Sequence, residues 1–187
     1  VVRGHPVEPV RLRDVADVAD EMAELWRTYA VRIFIFHDDN FCLPRPADSV
    51  ARITALGDAL VARGVDHFAT IIKLRPNDAT PEVLAALRER LHCIRMYLGI
   101  ETVSDQGLAT LQRGVRRAQI DRAMRLVREN DIYTTFNLLI FDPDATLASL
   151  HTNLDFMADH ADVPWNFCRA ELYAGTPLLL RMQREGR

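Results

Sequence analysis

Ile94-Arg-Met-Tyr-Leu-Gly-Ile-Glu-Thr102 is the stretch that decides the fold. Ile94, Met96, Leu98 and Ile100 alternate with Arg95, Tyr97, Gly99 and Glu101. A period of two in β-forming residues predicts a strand with one apolar and one polar face. The strand ends on an acid, and Ser104 and Asp105 then open a helix. The C-terminal end of a strand, with a helix behind it, is where α/β folds place their ligands.

The same unit recurs on both sides. Asp14 is a helix N-cap, and Val15, Val18, Met22, Leu25 and Trp26 then keep helical spacing to about Tyr29. Residues 31–37 predict a strand running into His37-Asp-Asp-Asn-Phe41, and residues 43–47 a proline-bearing loop. Asp48 is expected to start a helix that closes near Gly64. Residues 67–74 form the next strand, Arg75-Pro-Asn-Asp78 a loop, and Thr80-Pro-Glu82 a helix start with Pro at the first turn. After the Ile94 strand come a short helix, 105–112, and a longer one, 118–129. Residues 133–140 are a strand, and Asp142-Pro-Asp144 turns into a helix capped by Thr146. A last strand spans 166–173 and a terminal helix 177–183.

Strand and helix therefore alternate at roughly thirty-residue intervals, the spacing of a (β/α)8 barrel of ~250 residues. Such alternation implies parallel strands with right-handed crossovers. The first element is a helix and Val1 is not a Met, so a first strand is expected upstream.

The chain has 187 residues, 49% hydrophobic and 26% charged, with net charge −3. That suits one sizeable core in a single domain, 1–187. The mild acidity carries no nucleic-acid footprint. No apolar run approaches the ~20 residues that span a bilayer, and residues 1–14 lack a signal peptide's apolar region. Three widely spaced cysteines, Cys42, Cys93 and Cys168, point to a reducing compartment, the cytoplasm.

A dinucleotide-binding sheet should open on a Gly-rich turn, and neither GxGxxG nor GxxxxGK[ST] is present. The polar positions instead align along one face: Lys73 and Arg75, Tyr97 and Glu101, Thr135 and Asn137, Arg169 and Glu171. A shared polar inner face is expected of a curved sheet around a polar ligand. A closed barrel fills its lumen with branched apolar residues.

Several residues could carry chemistry. Asp38 and Asp39 follow the first strand, as ligand or metal contacts or as turn residues. Glu101 needs a partner, a ligand or a structural Arg, because carboxylates are rarely buried unpaired. Arg113 follows the short helix. Cys42 belongs near the top of the sheet and Cys93 near its bottom, and Cys168 should point away from Arg169 and Glu171, so the three should not meet. The six histidines show no HExxH spacing, and there is no GxSxG.

Taken in order, the motifs resemble the radical S-adenosylmethionine (SAM) superfamily. Arg11-Leu-Arg13 with the following helix is similar to the segment after that family's cluster loop. Phe36-His-Asp-Asp-Asn-Phe41 resembles its strand-two ending, and Leu74–Glu82 its segment after strand three. Leu98-Gly-Ile-Glu-Thr-Val-Ser-Asp105 resembles its G-I-E-S pattern, and Leu108–Leu111 with Arg113-Gly114 the continuation. Phe136–Thr146 resembles its strand-five segment, and Tyr173-Ala-Gly-Thr-Pro-Leu178 a closing motif of the cobalamin-binding branch.

The resemblance implies a partial (β/α)6 TIM-like barrel whose first strand and CxxxCxxC cluster loop lie upstream of Val1. It also implies an enzyme that cleaves SAM reductively with a 4Fe–4S cluster, producing a 5′-deoxyadenosyl radical for hydrogen abstraction. Cobalamin-dependent methylation of a small molecule or natural-product intermediate is among the outcomes, with cobalamin held by a separate domain. Expected partners are a small-molecule substrate and the upstream domain of the same protein, with no nucleic acid and no membrane. By position, Glu101 and Asn137 would bond the ribose hydroxyls. Arg113, helped by Arg75, would face the methionyl carboxylate. Asp38 and Asp39 would line the site near the methionyl amine. Two positions depart from the family pattern: Phe141, where Gly is usual, and Asn137, where relatives often have Asp. The alternatives are a divalent-metal hydrolase or lyase using Asp38, Asp39 and Glu101, and a degenerate barrel serving as a non-catalytic binding module.

Overall fold

The computed structural model describes residues 11–187; the first ten residues of the irregular N-terminal stretch lie outside it. Helix α1 is Val15–Tyr29, and the Asp14 carboxylate accepts from Ala16 N at 2.7 Å at its N-cap. Then follow β1 (Ile33–Ile35), α2 (Pro46–Ala62), β2 (Ala69–Leu74), a 3-10 turn (Pro76–Asp78) and α3 (Pro81–Leu91). Next are β3 (Cys93–Glu101), α4 (Asp105–Thr110), α5 (Arg117–Glu129), β4 (Tyr133–Phe141), α6 (Leu147–Asp159), β5 (Trp165–Arg169) and α7 (Pro177–Arg184).

The five strands are all parallel and lie in sequence order, β1-β2-β3-β4-β5. They form a curled half-barrel with helices on its convex side. The outward face of β3 explains why. Met96, Leu98 and Ile100 are buried there with Ile72 and Leu74 of β2 and Phe136, Leu138 and Ile140 of β4. They pack under Leu84, Leu87 and Leu91 of α3, Ile120, Met124 and Val127 of α5, and Phe156 of α6. Burying about ten such side chains at roughly 1.5–3 kcal/mol each is the main force holding helices to sheet. Among the described residues the opposite face has no helical cover, and Ile33, Ile35 and Tyr133 on it stay exposed.

Caps set the helix starts. Thr80, Ser104, Thr146 and Thr176 each accept a backbone N–H with the side-chain hydroxyl.

Four local expectations are corrected. Helix α2 begins at Pro46, not Asp48. Proline suits the first helical position, and Asp48 sits one turn in, bonded to Arg45 Nε at 2.7 Å. Ile94 is 48% exposed, because a register shift at Thr70/Ile71 pairs Cys93 with Thr70 and puts Cys93 in the core in its place. β5 ends at Arg169, so Glu171 lies past the strand, where it accepts from Tyr173 Oη at 2.8 Å. Cys168 pairs with Leu139, which puts it on the concave side with Asn137 and Asn166 and not on the helix-facing side expected from an inward Arg169. No described helix is long and apolar enough to cross a membrane.

Candidate active site

At the C-terminal ends of β2, β3 and β4 the concave face opens into a cavity of about 620 Å³. Its polar wall is Asp39, Asn40, Lys73, Arg75, Tyr97, Glu101, Arg113 and Asn137, and Leu74, Leu98 and Phe136 supply apolar surface. Pockets of this size and mix take small organic ligands.

Glu101 is aimed by backbone geometry. It ends β3 with φ +66, and Thr102 N donates to Ile100 O at 2.8 Å across it, closing a three-residue γ-type turn. The pairing with β4 also slips there: Leu98 faces Phe136, but Glu101 faces Leu138. A bulge of this kind re-aims a side chain at a strand end. The turn is tied down from α6, where buried Asn153 accepts from Val103 N at 2.9 Å and from Thr102 Oγ1 at 3.2 Å.

Arg113 arrives from the loop after α4. Its Nη2 donates to Gly99 O at 2.6 Å. The loop is clamped by Arg75 Nη2 on Arg113 O at 2.9 Å and by Asn77 Nδ2 on Gly114 O at 3.0 Å. Gly99 leaves the space between the two charged groups open: a Cβ there would sit 3.5 Å from Arg113 Nη2 and 3.6 Å from Glu101 Oε1.

The electrostatics follow from burial. Desolvation pushes the Glu101 carboxyl above its usual range, and the Arg113 charge offsets part of that. Desolvation likewise lowers Arg113, with Glu101 opposing and Arg75 adding to the drop. Glu101 makes no hydrogen bond or ion pair with a described residue, and Arg113 Nε is buried without a partner. Each group thus has bonding capacity left for a ligand.

The structure gathers Asp39, Arg75, Glu101, Arg113 and Asn137 around one cavity. Asp38 is exposed and is not among the lining residues. Asn40, which sequence reasoning passed over, joins three segments: its Nδ2 donates to Asp78 Oδ2 at 2.8 Å and to Cys42 O at 3.1 Å, and its Oδ1 accepts from Arg75 N at 3.3 Å. Its place in the polar run after a strand was the available signal. Lys73 and Tyr97, which alternation puts on the inner face without assigning them a role, also line the cavity.

Metal binding by the cysteines is disfavoured. Burial pushes the Cys42 thiol up to about 12 and the Cys93 thiol up to about 11, whereas the thiolate is the metal ligand. Among the described residues no three His, Cys, Asp or Glu side chains converge on a metal position. Asp38, Asp39 and Glu101 therefore do not form the divalent-metal centre considered as an alternative.

A family model described as "Radical SAM superfamily" matches residues 2–156. No curated protein matches the chain by sequence. Among solved structures, the chain is similar to a radical S-adenosylmethionine methyltransferase, TsrM, from Kitasatospora setae, described with cobalamin and a 4Fe–4S cluster bound. The TM-score is 0.71 and the identity 22%, over 92% of this chain and 34% of that one. It is also similar to OxsB, described as a cobalamin-dependent S-adenosylmethionine radical enzyme, with TM-score 0.69 and 20% identity over 97% of this chain and 26% of that one. Elp3 from the archaeon Methanocaldococcus infernus gives TM-score 0.66 and 16% identity, over 92% and 45% of the two chains. These likenesses show a shared fold, and the chain spans a quarter to a third of the first two proteins.

Proposed function

The chain belongs to the radical SAM superfamily, and from that premise we propose that the mouth of its half-barrel is the SAM shelf of an enzyme acting on a small molecule. The observation that carries this reading is the pair Glu101 and Arg113: half-buried, oppositely charged, short of partners and set beside one cavity.

SAM needs an acceptor for its ribose diol, a cation for its carboxylate, and polar and apolar walls for the rest. Glu101 supplies the acceptor, because a carboxylate can take both hydroxyl protons. Asn137, next to it on β4, adds an amide to the same edge. Arg113 answers the carboxylate with its planar donor fork, and Arg75, bonded to the Arg113 carbonyl, holds that fork in place. Asp39 lines the side assigned to the methionyl amine, with Asp38 beside it in the chain. When bound beside a reduced 4Fe–4S cluster, SAM supplies one-electron chemistry that ends in hydrogen abstraction. The described residues fit SAM and do not fit the cluster, since no three potential ligands converge. Their work is to bind and orient SAM and to keep water from it.

A finer reading is cobalamin-dependent methylation. Its support is the Tyr173-Ala-Gly-Thr-Pro-Leu178 stretch, which resembles the closing motif of the cobalamin-binding branch. Corrinoid absorbance retained by the purified full-length protein tests it.

The SAM shelf is tested by equilibrium dialysis of labelled SAM against the full-length, cluster-loaded protein. Each lost charge-assisted bond is worth ~1.5–3 kcal/mol, so Glu101→Ala and Arg113→Ala should each weaken binding by roughly ten- to a hundredfold. Wild-type affinity in both variants would refute the assignment.

A further inference from the structure

Below the mouth, the concave face carries groups that the SAM assignment leaves unused. Strand register puts Lys73, Tyr97 and Thr135 in one layer, and Arg95 with Tyr133 in the layer beneath. Thr135 is only 5% exposed, and its Oγ1 has no hydrogen-bond partner. Alternation with Thr134 and Phe136, buried on the helix side, aims it into the lumen. The Arg95 guanidinium lies 4.7 Å from the Tyr97 ring centroid and 5.6 Å from that of Tyr133. Its Nε is shut off from solvent without a partner. Lys73 lines the cavity and forms no ion pair with a described residue.

Charge is the second observation. The only acid within the five strands is Glu101, at the mouth, whereas Lys73 and Arg95 both project into the lumen. Register sets Arg95 diagonally below Lys73, and the strand residues of these two layers include no acid, Asp39 and Glu101 standing at the mouth above them, so the two positive charges have no counter-charge within the layers. The tyrosine stack engages the face of the guanidinium and leaves an N–H unpaired, and an orphaned buried donor is costly. An oxyanion placed between them resolves both.

We propose that this lumen layer is an oxyanion subsite: the small-molecule substrate bears a carboxylate or phosphate held by Lys73 and Arg95. Thr135 Oγ1 donates to the same group, and Tyr97 and Tyr133 pack against the organic part. The inference rests on the mouth being the SAM shelf, because the layer below it is then the substrate's place.

The test uses the full-length, cluster-loaded protein with saturating SAM and three probes: phenyl phosphate, phenylacetate and the neutral phenylacetamide. Calorimetry should show at least one acid binding, with the amide at least about tenfold weaker, about 1.4 kcal/mol. The preferred acid identifies the oxyanion. Lys73→Met and Arg95→Gln should each weaken the acid about tenfold, Lys73→Arg should restore it, and the SAM affinity of Arg95→Gln should stay at the wild-type value, which also reports a folded protein. Equal binding of amide and acid, no binding of either acid, or wild-type acid affinity in both variants would overturn the proposal. If acid binding depends on Lys73 while Glu101→Ala and Arg113→Ala still bind SAM normally, the shelf assignment falls and the oxyanion subsite stands.

Discussion

Glu101 carries two penalties at once. Its left-handed backbone, φ +66, costs of order 1–3 kcal/mol for a residue with a side chain. Its carboxylate is also partly withdrawn from water, and Arg113 offsets only part of that withdrawal. The raised carboxyl pKa fixes the sign of a pH effect. The folded protein holds this proton more tightly than the unfolded chain, so stability falls as pH rises from the ordinary carboxylate value through the raised one. The penalty is in full force above that window. Glu101→Gln removes the charge and should stabilise the ligand-free protein at pH 7 by about 1 kcal/mol, the stability–function trade-off expected at a binding site. The gain should vanish as pH drops below the ordinary carboxylate range. Denaturant unfolding of both proteins across that range checks it, and a destabilised variant at pH 7 would contradict the account. Thr135 and Arg95 raise a similar question one layer down, since each holds an unpartnered polar atom that a purely structural sheet would avoid.

Two tethers between elements hold the mouth in shape. Asn153 of α6 fixes the residues directly after Glu101 through Thr102 and Val103. Asn153→Ala strands a buried N–H and a hydroxyl, at a cost of about 1–3 kcal/mol, and should weaken SAM binding along with stability. Thr80→Ala is the control. It removes the α3 cap, where Thr80 Oγ1 accepts from Val83 N at 3.3 Å, for about 1 kcal/mol, and should leave SAM affinity alone. Equal effects of the two variants on SAM binding would detach Asn153 from the site. The second tether is Asp144. It accepts from Thr110 Oγ1 at 2.9 Å on α4, from Arg181 on α7 and from Arg187 after it, while Arg187 also reaches Pro143 O. These partners hold its carboxyl down at about 2. The stabilisation is complete above the ordinary carboxylate pKa and is lost as pH falls through about 2. With its side chain 28% exposed, the network is worth about 1 kcal/mol. Asp144→Ala should be less stable than wild type by that amount near neutrality, and the gap should close towards pH 2. A gap that stays constant with pH would mean the carboxylate is not what holds α7.

At the scale of the molecule, helices on one side of a sequentially ordered parallel sheet leave the other side free to be a site. The order has an energetic consequence. β2, β3 and β4 have a strand on each side and helices behind them. β1 is a three-residue edge strand among the described residues, and β5 is mostly exposed. Edge pairs open with lower free energy than the core. Native-state hydrogen exchange should therefore be slowest at amides such as those of Ile72, Met96, Leu98 and Leu138, and faster in residues 33–35 and 165–169. Uniform protection across the sheet would mean that the edges are covered by partners beyond the five strands.

The alternation that predicts β3 is local, as are the caps at Asp14, Thr80, Ser104 and Thr146, and all were legible in the sequence. Backbone period and side chain-to-backbone capping act over a few residues, so composition in a short window is enough to read them. The order of βα units followed from the same windows, and the family resemblance rested on short motifs spaced along the chain. The parts that were not legible depend on residues far apart. Helix α2 starts two residues early because Arg45 and Pro46 make a better end than Asp48. Cys168 turns to the concave side because its register is set by β4, about thirty residues away. The slip that aims Glu101 arises between β3 and β4, and the amide that anchors it, Asn153, is 50 residues beyond Val103. The sequence by itself determined which elements form and that polar groups share one face of the sheet. Tertiary structure alone decided which of those groups meet at the cavity and which remain unpaired, because register and burial come from packing the whole sheet against its helices.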